Sequence, residues 1–161
     1  MLSMFEAFKK LSQILFPTFT LHSLEEEVKE EVAKECGINK NELPEVEFKP
    51  LPLIAKITNY GKIIIGKIAG VYDTIKHKIY IDPLHYLFSN TYERVKLLAE
   101  ELYHAADNLK GKLKNKYRSF QEYLENYEND EDEIRAKIGA EKIARKIANK
   151  YGDLGYLSLY I

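Results

Sequence analysis

The stretch Leu97-Leu-Ala-Glu-Glu-Leu-Tyr-His-Ala-Ala-Asp-Asn-Leu109 decides how this chain is read. Its apolar residues recur at three- and four-residue intervals, the period of a helix with one face turned to a core. Asn90 or Thr91 can cap that helix and Gly111 can end it, so the pattern predicts a helix from about Tyr92 to Leu109. On it, Glu100 and His104 stand at i and i+4 and project from one face, a turn apart. Asp107 follows on the same face. Glu101, rotated by one residue, approaches the same place from the side.

Working upstream, the pattern changes from helical to alternating. Val46 and Phe48 alternate with Glu45, Glu47 and Lys49 and stop at Pro50, a short strand. Residues 53–58 and 62–72 predict two more strands around a turn at Asn59-Tyr-Gly61, and Lys78-Ile-Tyr-Ile-Asp82 a further one, ended by Pro83. Before the strands come two helices. The first covers about residues 2–16, with Phe5, Phe8, Leu11 and Leu15 on one face, and stops at Pro17. The second is capped by Ser23 and closed by Gly37. Downstream, residues 119–127 and 130–150 predict helices, and the apolar tail 151–161 alternates as a strand would. The expectation is a single α+β domain over 1–161: N-terminal helices in 1–44, a small sheet in 45–83, motif and C-terminal helices in 90–150, and the tail.

Composition narrows the function classes. Lys and Arg number 24 against 25 Asp and Glu, a net charge of −1, which removes the electrostatic case for nucleic acid as main partner. The basic run Lys110–Arg118 reads as a solvated loop. A single cysteine, Cys36, excludes an internal disulfide and points to a reducing, cytoplasmic setting, with Cys36 as an idle thiol at a helix end. Apolar runs are too short to cross a membrane. Abundant Lys and Glu resemble heat-adapted compositions. The N-terminal helix and the apolar tail are the candidate surfaces for self-association.

The row Glu100-Glu101-x-x-His104 keeps the spacing of H-E-x-x-H, in which two histidines grip zinc and the glutamate between them is general base. A zinc site needs a third protein ligand, and Glu133-Ile-Arg-Ala136 offers a glutamate from a second helix. This order of elements resembles the gluzincin metallopeptidases, especially the minigluzincins and the ImmA/IrrE-type peptidases, over about residues 45–150. In those families an E-x-x-A helix supplies the third ligand; Glu133 and Ala136 match it, and Ala140 matches a small residue one turn on. Gly70-Val-Tyr-Asp73 and Ile79-Tyr-Ile-Asp-Pro83 resemble the strand pair before the motif helix, the second of them being the substrate-side strand.

The resemblance implies a zincin-like fold, with a small, mostly antiparallel twisted sheet under the motif and C-terminal helices. It implies Glu101 as catalytic base, with Glu100, His104 and Glu133 as metal ligands, for hydrolysis of a peptide or protein. The departure is Glu100, standing where the family has histidine. Two carboxylates and one imidazole neutralise a divalent ion, so its bound water is acidified less, and preference moves from zinc toward manganese or iron. Two outcomes stand: an altered metallohydrolase, or a pseudoenzyme without metal that serves as a protein-binding module. A ferritin-like carboxylate protein is a third reading of Glu101-x-x-His104, but it needs a second such unit and four long helices. Among the other histidines, His77 is expected exposed in a turn, His22 before a helix cap, and His85 near enough after Pro83 to serve as a substitute ligand.

Overall fold

Asn90 caps the decisive helix: its side-chain oxygen accepts the backbone N–H of Glu93 at 2.8 Å. The helix runs Thr91–Leu109 and ends at Gly111, whose φ of +68° suits glycine. There Lys112 N–H bonds Asp107 O and Gly111 N–H bonds Asn108 O, the paired bonds of a Schellman stop. Gly37, at φ +65°, ends the helix Leu21–Cys36 with the same two bonds, from Ile38 to Ala33 and from Gly37 to Lys34.

The computed structural model describes residues 3–4, 21–57, 63–113 and 130–151. In chain order these form α1 (Leu21–Cys36), a 3-10 turn (Lys40–Glu42), β1 (Val46–Phe48), β2 (Leu53–Ile57), β3 (Ile63–Lys67), β4 (Gly70–Asp73), β5 (Lys78–Ile81), α2 (Pro83–Leu87), α3 (Thr91–Leu109) and α4 (Glu131–Tyr151). The fold is α+β. The expected helices at 2–16 and 119–127, the turn at 59–61 and the strand-like tail lie outside the described residues. Ser23 is not the cap of α1, which begins two residues earlier. No helix among the described residues is long and apolar enough to cross a membrane.

β5 is the middle strand of a three-stranded mixed sheet, parallel to β1 (Val46 opposite Ile79) and antiparallel to β4 (Tyr72 opposite Ile79). β2 and β3 pair antiparallel as a separate ribbon. Two expectations are corrected here. Residues 62–72 are not one strand: Ala69 gives its carbonyl to Asp82 N–H at 2.8 Å, and the chain leaves the ribbon and enters the other sheet at Gly70. Nor can β5 be a substrate-side strand, because both its edges are already paired; among the described residues the edge strands of this sheet are β1 and β4.

Helix α3 is the hub, packed on α4, α1, β4 and β5. Val95, Leu98, Ala99, Leu102, Ala105 and Ala106 give it a wholly buried face. Ala140, Ile143, Ala144 and Ile147 answer from α4, and Leu24, Val28 and Val32 from α1. Small residues let α4 come close: a Cβ on Gly139 would sit 2.4 Å from the Tyr103 ring. On the outside, Lys142, Lys146 and Lys150 of α4 meet Glu35, Glu31 and Glu27 of α1 at 3.0, 2.6 and 2.7 Å, one rung per helical turn. These pairs are exposed, so salt screens them. Replacing the three lysines by glutamine should lower the melting temperature in dilute buffer, and the difference should close in about 1 M salt, where screening acts within about 3 Å.

Candidate functional site

The site is built where the start of α4 meets the middle of α3. Asp130, buried just before α4, accepts the backbone N–H groups of Asp132 (2.8 Å) and Glu133 (3.4 Å) and so sets the first turn. That turn delivers Glu133 to α3: its Oε1 lies 3.2 Å from His104 Nε2, with only 6% and 12% of the two side chains exposed. Two of the expected site residues, from distant parts of the sequence, are therefore in direct contact.

Glu101 lies beside them, buried against β4. A Cβ at Gly70 would stand 3.2 Å from Glu101 Cγ, 3.1 Å from Leu97 Cδ1 and 2.9 Å from Ile81 Cδ1, so only glycine lets the strand come this close. Gly70→Ala should cost about 1–2 kcal/mol by overpacking, read in a denaturant titration. Burial pushes the Glu101 carboxyl up to about 7; His104 and a hydrogen bond from the Tyr72 backbone oppose it, while Glu133 and Glu100 add to it. For His104, burial alone would favour the neutral ring. The Glu133 hydrogen bond and the charges of Glu101, Glu133 and Glu100 outweigh that and raise it to about 9. Glu100 is half-buried, and burial raises its pKa against the pull of Lys96 and Lys137; Glu133 and His104 also act on it.

Other expected participants are placed elsewhere. Asp107 does not face His104; its carboxylate accepts from Arg135 Nε at 2.8 Å. His85 is exposed on α2. His77, expected exposed, is half-buried at φ +51°, with both ring nitrogens bonded. Its Nε2 is 2.8 Å from the Glu42 carbonyl, which can only accept, so Nε2 carries the proton and Nδ1 accepts from the Tyr72 hydroxyl at 2.8 Å. Tyr72 in turn accepts from Asn108 Nδ2 at 3.0 Å, tying β4 to α3. His22 falls within α1 rather than before it. Cys36 is partly buried and its thiol is pushed up by burial, as suits an idle cysteine. Arg135, Tyr72 and Gly70 shape the site. All three stand inside segments the sequence singles out, Arg135 in Glu133-Ile-Arg-Ala136 and the other two in Gly70-Val-Tyr-Asp73, but nothing in the sequence assigns them these partners.

Whether a cation fits can be judged from the pair itself. Two ligands bound at about 2.0–2.2 Å to one tetrahedral ion stand about 3.3–3.6 Å apart. The 3.2 Å between His104 Nε2 and Glu133 Oε1 lies just under that edge and is also the length of the hydrogen bond the two groups make. Glu100 and Glu101 act electrostatically on both. Among the described residues, however, no three His, Cys, Asp or Glu side chains converge as a ready-made metal site. His104 and Glu133 thus offer two adjacent donors of types that bind divalent ions, an imidazole and a carboxylate.

The chain was compared with protein-family models, curated proteins and solved structures. None matches.

Proposed function

We propose that this chain is a zincin-like, metallopeptidase-related protein with an altered site, in which Glu100, His104 and Glu133 hold a divalent cation and Glu101 is the general base. The observation that carries the reading is the meeting of His104 and Glu133 at 3.2 Å across two helices, beside a buried Glu101. When bound, the cation supplies Lewis-acid polarisation of a peptide carbonyl and acidifies water, weakly for so carboxylate-rich a ligand set. Zinc, manganese and iron are the candidates. The chain's own part is proton handling. Glu101, with a pKa near neutrality, can accept a proton at its carboxylate and return it to a leaving amine. His104, hydrogen-bonded to Glu133, holds its Nε2 toward the site. The mixed sheet among the helices speaks against a four-helix carboxylate bundle.

A second reading, a non-catalytic protein-binding module on the same frame, is favoured by one specific observation. With a proton on His104, the His104–Glu133 pair is complete without a cation. Cleavage of a mixed peptide library, followed by mass spectrometry with added zinc, manganese or iron, separates the two. Metal-dependent products from the natural chain that vanish in Glu101→Gln are expected; equal product patterns from both chains contradict the hydrolase reading.

A further inference from the structure

Arg135 sits two residues past Glu133 on α4, yet its guanidinium reaches back to α3. Nε donates to Asp107 Oδ2 at 2.8 Å, and Nη2 donates to Asp132 Oδ1 at 2.7 Å and to the Lys112 carbonyl at 3.5 Å. Asp107 is three residues beyond His104 on α3, and Asp132 is the immediate neighbour of Glu133. One planar fork thus ties the turn after His104 to the turn that carries Glu133. Asp107 and Asp132 are buried, while Arg135 is partly exposed. We propose that Arg135 is the positioning residue of the site: it sets the register of α3 on α4 so that Glu133 lands on His104, and it keeps Asp107 turned away from His104.

The geometry makes both roles specific. Contact between Glu133 and His104 spans two helices that share no chain continuity nearby, and a slip of about 1 Å would take a 3.2 Å contact beyond hydrogen-bond range. The apolar face of α4 near this point is built of Ala136, Gly139 and Ala140, small residues that allow close approach, with the Tyr103 ring set against Gly139. To that packing the fork adds directed bonds, which fix the register at the end of α4 that carries Glu133. Lysine would keep the charge but not the two simultaneous directed bonds. Asp107, once released, would be a buried carboxylate one turn from His104, with Lys110 one turn the other way already bonded to the Cys36 carbonyl. The inference rests on the proposed function only in taking His104 and Glu133 as the centre of the site.

The test uses the full chain, kept free of metal with a chelator. Proton–nitrogen NMR reads the His104 imidazole, whose Nε2–H, bonded to Glu133, is expected downfield in the natural protein and is assigned by its loss in Glu133→Gln. In Arg135→Gln the resonance should move to a new position as Asp107 takes the ring. In Asp107→Asn/Arg135→Gln it should be lost altogether, with the far-ultraviolet circular dichroism unchanged. Arg135→Lys should restore the original position only in part. An original resonance that persists unmoved in folded Arg135→Gln or in the double variant overturns the proposal. If Arg135→Gln does not fold, the double variant, which leaves no uncompensated Asp107 charge, decides it. Because no metal enters, a natural chain that binds no cation would sink the proposed function and leave this result standing.

Discussion

Replacing Glu101 with glutamine should make the metal-free protein more stable at about pH 8 by about 3 kcal/mol, while removing any hydrolysis. Glu101 titrates near 7 in the folded chain against an ordinary 4.5, because it is buried. Its folded value is raised, so the protein is most stable while the group is protonated. Stability declines as pH rises from about 4.5 through 7, at roughly 1.4 kcal/mol per unit between those values. Glutamine has no charge to bury and its amide oxygen can still accept the Tyr72 backbone N–H. The two chains should therefore unfold alike near pH 4 and separate above neutrality, read by urea titration at each pH. Equal stability at pH 8 would mean that Glu101 carries no burial cost.

Glu133→Ala should act at the opposite end of the pH scale. The His104 pKa is raised to about 9 from 6.5, chiefly through Glu133 against the effect of burial. That contribution is fully present below about 6.5 and is lost as pH rises through about 9. Removing Glu133 leaves a buried imidazolium short of its partner, a loss of about 3 kcal/mol at about pH 6. Above pH 9, where the ring is neutral in both proteins, the difference should shrink toward zero. A deficit that does not depend on pH would assign Glu133 a packing role rather than a charge-pairing one.

Much of this was legible in the sequence, and the rest fails for identifiable reasons. Helix α3 was readable because its period, its Asn90 cap and its Gly111 stop all agree. The approach of Glu133 to His104 was readable only through resemblance to a family pattern, since no local rule connects residues so far apart. The break between β3 and β4 falls in a stretch, residues 62–72, whose isoleucines and Val71 read as strand on both sides of it. Gly66 and Gly70 are local signs, but the reason for Gly70, close approach to Leu97 and Glu101, is tertiary. Asp107 was read as facing the site because helical spacing gives a direction but not a partner; Arg135, on another helix, claims it. His77 was read as an exposed turn residue, whereas bonds to Tyr72 and Glu42 hold it in a conformation non-glycine residues rarely adopt.

The central claim is that Glu100, His104 and Glu133 together hold one divalent cation. Its most direct test is the metal content of the purified protein by elemental mass spectrometry, after incubation with zinc, manganese or iron and removal of free ion, beside Glu133→Ala and Glu100→Ala. The account predicts one equivalent of metal in the natural chain, none in Glu133→Ala and a sharply reduced amount in Glu100→Ala. A natural chain that stays empty with all three metals, or one whose metal survives the loss of Glu133, would contradict it.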